Sequence, residues 1–279
     1  FFVPGVQFLF ALPFILFSMT GGYLADRYSK RTVTIGTKVM EIGVMLFATA
    51  ALILVNVWMM LAAVFMMSAQ SALFGPSKYG LLPELLPEKR LSWGNGVIEL
   101  YTILAIIAGT VGGGLLSENF RGNHLWSGVI LVALASVGFG TSHGINRVPV
   151  ADPAKRFQFN FISDLFTQVK KMRRDRVLFL SLLGSTYFWG LGGLLQSTIL
   201  IYGHDVLHLS ATQNSYLAGA LALGIGLGSF AAGHLSGKKI EYGLIPLGSI
   251  GITVFAGLMF RPDISFLEVA INLAMLGFF

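Results

Sequence analysis

Nine runs of mostly apolar residues, near 3–24, 32–54, 57–75, 93–116, 124–142, 177–201, 213–236, 243–260 and 266–279, dominate the chain. A helix needs about 20 such residues to cross the hydrocarbon core of a bilayer, where each backbone polar group must be satisfied within the element. Transmembrane strands fit poorly, because the runs are continuous and do not alternate every second residue. The fold class expected is therefore an all-α integral membrane protein of about nine spans, the last incomplete. Composition agrees: 54% of residues are hydrophobic and 11% charged, less than half the charge of a soluble domain. The chain has no cysteine, which removes disulfides, thiolate nucleophiles and cysteine metal sites. Neither a metal nor any other cofactor is expected. The sequence opens at Phe1 inside one apolar run and closes at Phe279 inside another, which reads as a piece of a longer protein.

The net charge of +6 is distributed by side. Along the alternating connections, 17 of the 19 Lys and Arg fall on one face, and only Arg121 and Arg261 on the other. Basic loops stay in the cytoplasm, so the connections near 25–31, 76–92, 144–176 and 237–242 are expected there. The basic balance is topology, and nucleic acid is not expected as a partner.

The polar stretch 144–176 separates five runs from four. It divides an N-terminal helical bundle at 1–143 from an incomplete C-terminal bundle at 177–279. Within it, Phe161, Ile162, Leu165, Phe166, Val169 and Met172 recur at helical spacing ahead of five basic residues. This pattern suits an amphipathic helix on the cytoplasmic lipid surface and suits a solvated linker helix equally. An internal repeat supports two related halves. Gly22 to Arg27 ends the first run, and Gly233 to Lys239 ends the seventh on the same face.

The segment Gly22-Tyr23-Leu24-Ala25-Asp26-Arg27-Tyr28-Ser29-Lys30-Arg31 resembles the cytoplasmic loop signature of the major facilitator superfamily, with Ser29 in place of a glycine and the final basic pair inverted. The resemblance implies a two-bundle transporter fragment covering helices 2–10 of twelve. It also makes Gly22, Leu24, Asp26, Arg27, Lys30 and Arg31 a conformational-switch loop, in which Asp26 latches onto the other half in the outward-open state. The following loop, Pro76-Ser77-Lys78-Tyr79-Gly80-Leu81-Leu82-Pro83-Glu84-Leu85, with Asn95-Gly96 beyond it, is similar to that of bacterial lysophospholipid transporters. Those proteins flip lysophospholipids inward across the inner membrane for reacylation. The opening Phe8 to Ser18 looks like the form fused to an acyltransferase, so a fused or associated acyltransferase is an expected partner beside membrane lipids. From the residues alone, the loop is a Pro-punctuated turn with solvated Lys78 and Glu84.

The fourth run carries Gly96, Gly109, Gly112, Gly113 and Gly114, similar to the superfamily's antiporter pattern except for Ala105 and Thr110. Gly109, Gly113 and Gly114 are expected to serve helix packing, since small residues let helix backbones approach. Ionisable groups at membrane depth are costly and few. Lys38 and Glu41 lie one turn apart and are expected to neutralise each other. Glu99 lies about two turns into its run. With the resemblance setting helices 4 and 7 around the central cavity, the candidate substrate residues are Gln70, Glu99, Tyr187, Trp189 and Gln196. No catalytic residue is expected: an acyltransferase would need a His with an acid five positions on, and none of the five histidines has one. The remaining alternative within transport is a superfamily exporter of drugs or other amphiphiles.

Overall fold

The computed structural model describes residues 2–120, 122–157, 161–237, 241–261 and 264–279, with the side chains of 2–7, 161–165, 196–197, 200, 204 and 211–212 outside the described part. Among the described residues there is no strand. Apolar helices stand at all nine expected places: α1 (Phe2–Arg27), α2 (Lys30–Ile53), α3 (Val57–Gly80), α5 (Leu91–Asn119), α6 (His124–Ser142), α8 (Arg176–Ile201), α9 (Ala211–Leu235), α10 (Leu244–Leu258) and α11 (Phe266–Phe278). A short α4 (Leu82–Leu85) follows α3, and α7 (Phe161–Met172) forms in the linker where the spacing predicts it. Seven of the apolar helices are long enough to cross a membrane; α10 and α11, of 15 and 13 residues, are shorter.

Helix starts are set by polar side chains that satisfy exposed backbone N–H groups. Asn56 accepts from the Met59 N–H at the start of α3, and Asp175 accepts from Val177 and Leu178 at the start of α8. Ser210 with Gln213, and Ser265 with Glu268, form reciprocal caps on α9 and α11. Each cap contributes about 1 kcal/mol. Two cationic residues in the last turn of α7, Lys170 and Lys171, oppose the negative end of its dipole.

The chain divides into two compact units, residues 1–88 with 111–159 and residues 89–110 with 160–279. Helix α5 is divided between them, residues 91–110 in the second and 111–119 in the first. In the first unit, α3 packs on α1 and α2, and α2 packs on α6. Small residues bring these backbones together, with Ala25, Ala51, Ala63, Ala69 and Ala72 all buried. Helix α3 runs past its expected end at 75. Pro76 cannot donate to the Ala72 carbonyl, yet α3 continues to Gly80. The α1 backbone at Gly21 lies against that carbonyl, where a Cβ would stand 2.7 Å from the oxygen.

In the second unit, α9 and α10 pack on α11 around Ile199, Leu217, Leu221, Val269, Leu273 and Leu276. Gly224 and Gly228 of α9 rest on the backbone carbonyls of Ala274 and Phe278, so any side chain there would push the helices apart. In lipid, where apolar transfer drives little association, such close approach is the main cohesive force.

Candidate functional site

Residues of α5, α8, α9, α10 and α11 in the second unit line an open cavity of about 400 Å³. Most of its wall is aliphatic or aromatic. The polar exceptions are Glu99 from α5, Ser185 from α8 and Ser229 from α9, with Trp189 and Phe188 supplying aromatic surface. Glycine at position 192 keeps the α8 wall thin. A second cavity of about 240 Å³ adjoins the first, and Leu195 and Leu276 border both. Its lining is apolar almost throughout, including Ile199, Met259, Phe260 and Leu273, with Thr198 and Tyr202 as the hydroxyl bearers. The Tyr202 hydroxyl is spent on the Met259 carbonyl at 3.3 Å.

Of the five candidate substrate residues, the cavity joins Glu99 and Trp189. Tyr187 does not line it. Two positions along a helix turn a side chain by roughly 200°, so Tyr187 leaves on the opposite face from Trp189; there it is exposed and packs edge-on against Phe188 at 5.5 Å. The side chain of Gln196 lies outside the described residues. Gln70 belongs to the first unit and is buried in α3. Its amide donates to the Thr37 carbonyl at 3.2 Å and to Glu41 Oε2 at 3.3 Å. Glu41 also receives Lys38 Nζ at 2.7 Å, and the same ammonium lies 5.2 Å from the centre of the Phe74 ring. The expected Lys38–Glu41 neutralisation is present, and Gln70 completes it as a structural clamp between α2 and α3.

The packing glycines are distributed unevenly. Nothing described lies within 4 Å of a Cβ built on Gly109, Gly112, Gly113 or Gly114. Close packing of α5 occurs at its other end. A Cβ on Gly96 would stand 2.5 Å from the Ser229 carbonyl oxygen and 3.2 Å from the Gly233 Cα of α9.

The signature loop is held by the segment that follows α6. Arg31 donates to the carbonyls of Ile145 and His143 at 2.6 and 3.1 Å, and Ser29 donates to Val148 O at 2.9 Å. Lys155 Nζ meets the Asp26 carboxylate at 2.6 Å, while the Asp152 N–H donates to the Asp26 carbonyl at 2.9 Å. Tyr23 and Phe157 meet edge to face at 5.1 Å. Lys30, largely buried, pairs with Glu84 of α4. Arg27 ends α1 and Leu24 lies in its last turn; open space surrounds Gly22. Asp26 thus has a partner, Lys155, that sequence reasoning did not name. Ser229 was missed as well, because a lone serine in an apolar run carries no periodic signal.

Seven apolar helices long enough to cross a membrane define a multi-pass membrane protein. The family model described as Major Facilitator Superfamily matches residues 5–279. Lysophospholipid transporter LplT of Klebsiella pneumoniae is 30% identical over 99% of this chain and 67% of its own length. The LplT proteins of Cronobacter sakazakii and Pectobacterium carotovorum are each 28% identical over 99% of the chain, which covers 67% and 66% of them. Among solved structures, the E. coli fucose:proton symporter FucP superposes with a TM-score of 0.76 at 13% identity, over 98% of this chain and 73% of that one, a likeness of fold. The chain belongs to the major facilitator superfamily, in its family of lysophospholipid transporters.

Proposed function

We propose that this protein is a secondary transporter that carries lysophospholipids across the bacterial inner membrane for reacylation, by alternating access. The adjoining cavities carry the reading: one offers a carboxylate, hydroxyls and aromatic walls, and its neighbour is apolar. A lysophospholipid has the same division, a polar head and a single acyl chain. Each methylene that leaves water contributes about 0.8 kcal/mol, while a few placed polar groups orient the head. The relatives named lysophospholipid transporter support the same substrate class.

The two ends of α5 support alternating access. One end is closed on α9 at Gly96, and the other, from Gly109 to Gly114, stands open. In the reading proposed, the open glycines close in the opposite state, as the bundles at 1–143 and 177–279 rock about the linker 144–176. The signature loop, Gly22 to Arg31, is the switch. The charge distribution supports cytoplasmic positions for the loops near 25–31, 76–92, 144–176 and 237–242, although Lys238 and Lys239 of the last lie outside the described residues. Reacylation is left to an acyltransferase, fused or associated.

A second reading, export of drugs or other amphiphiles, is favoured by Glu99 and Trp189 sharing one cavity, since a cationic amphiphile would suit both. Proteoliposomes of the full-length protein, assayed with lysophosphatidylethanolamine and with a cationic dye, separate the two. Lysophospholipid flux without dye flux is expected; dye flux alone would reverse the assignment.

A further inference from the structure

We propose that α7 docks on the cytoplasmic surface of the bilayer and is held there by anionic lipid headgroups, which gives the linker a membrane anchor of its own. The proposal takes from the transport reading only the side of the linker and does not depend on the substrate.

A helix of twelve residues is marginal in water by itself and needs a surface for its apolar face. Phe166, Val169 and Met172 follow one another at intervals of three along one face of α7. That face is not covered by the described residues: Phe166 is 70% exposed, and Val169 and Met172 keep part of their surface open. Lys171 lies roughly 200° around the helix from Val169, and Lys170 stands at the border between the two sides. One side of α7 is therefore apolar and the other cationic, the division that lets a helix lie in a lipid interface.

Position decides between water and lipid. Residues 173–175 turn the chain from α7 into α8, with the Arg173 N–H donating to the Val169 carbonyl at 2.9 Å and the Asp175 N–H to the Met172 carbonyl at 3.1 Å. Helix α8 begins at Arg176 and is one of the seven helices long and apolar enough to cross a membrane. Even a fully extended turn would keep Met172 within roughly 14 Å of that first residue, and this turn is folded. The Arg173 guanidinium lies 5.5 Å from the centre of the Phe179 ring, which fixes the turn against α8. The end of α7 is thus held at the depth where α8 leaves the cytoplasm.

Charge selects the headgroup. Lys170, Lys171, Arg173, Arg174 and Arg176 place five exposed cations within seven residues. The acid among them, Asp175, is spent on the Val177 and Leu178 N–H groups as the cap of α8. No ion pair joins any of the five to a described side chain. A basic cluster beside the cytoplasmic end of a membrane-crossing helix attracts anionic lipid over zwitterionic lipid. An acidic protein surface would satisfy the same charges, but the short turn to α8 favours the lipid, which already lies at that depth.

The test places one environment-sensitive fluorophore on the full-length protein through Phe166→Cys, in nanodiscs of phosphatidylcholine with and without phosphatidylglycerol. In the anionic discs the emission should shift to the blue, lipids brominated on their acyl chains should quench it, and iodide should quench it roughly threefold less than in the zwitterionic discs. Salt at about 1 M should remove most of that difference. The same label at Lys171→Cys should stay open to iodide in both. Lys170→Gln, Lys171→Gln and Arg174→Gln together should make the anionic discs behave like the zwitterionic ones, whereas Lys170→Arg with Lys171→Arg should not. An iodide response at position 166 that is the same in both lipids would overturn the proposal, whether the label is open or shielded. Shielding from iodide without quenching by brominated lipid would overturn it as well, because a protein surface would then cover the helix.

Discussion

Gly96 of α5 and Gly233 of α9 meet backbone to backbone, with the Cβ position of each 3.2 Å from the Cα of the other. Neither helix could come so close with a side chain at either site. Real Cβ contacts at that separation are rare, and the nearby carbonyls of Ser229 and Ser92 stand closer still. Gly96→Leu or Gly233→Leu should therefore abolish this closed end and reduce lysophospholipid flux at least tenfold, an opening cost of about 1.4 kcal/mol or more. Gly113→Leu, in open space here, should insert normally and impair only the opposite closed state. Flux together with cysteine accessibility at both ends of α5 checks the pair. Normal flux in Gly96→Leu would refute the packing.

Lys30 and Glu84 form the most enclosed ion pair described, with side-chain exposures of 11% and 20%. Glu84 Oε2 is buried with no hydrogen-bond partner among the described residues, so the pair already carries an unmet acceptor. Lys30→Met should leave a buried carboxylate uncompensated and cost roughly 3–5 kcal/mol of stability. Lys30→Met with Glu84→Leu should recover most of it. Thermal melts in detergent report both; a double variant no more stable than the single would reject the pairing.

Asp26 and Lys155 are more exposed, at 42% and 31% of their side chains, and their contact should contribute at most about 1 kcal/mol to stability. A switch role predicts a different pattern. Asp26→Asn should slow turnover with little change in apparent affinity and shift accessibility towards the inward-open state. Lys155→Gln should reproduce the part of that effect that passes through the linker, and the double variant should be no worse than Asp26→Asn. Wild-type flux and accessibility in all three proteins would leave Asp26 as a turn residue only.

The charge pattern predicts sidedness. A cysteine at Lys171 should react only from the cytoplasm and one at Asn56 only from outside, measured with an impermeant maleimide on intact cells and inverted vesicles. Labelling of both from one side would discard the nine-span topology.

Much of this architecture could be read from the residues because lipid imposes a simple rule: the element must be long, apolar and internally bonded. All nine apolar helices stand where the runs predict them. Pro76 misled, since proline reads as punctuation, while α3 continues through it to Gly80. At the cavity, Glu99 and Trp189 were visible because a charge or an indole stands out in an apolar run. Ser229 was not, and the separation of Tyr187 from Trp189 needed the helical phase relative to α5 and α9. Gln70, a further candidate, lies in the first unit, where its amide donates to Thr37 and Glu41, a pairing that sequence spacing did not reveal.

The lacing of residues 143–155 onto the signature loop has a mechanical consequence. A connector anchored along its first part is no free leash. The lacing runs as far as Phe157, which meets Tyr23, and the twelve residues of α7 take up length at about 1.5 Å each, where an extended chain would reach more than twice as far. On the switch reading proposed above, tension along the connector is delivered at Ser29, Arg31 and Asp26, and chain length gears the stroke of the transport cycle to the position of the signature loop.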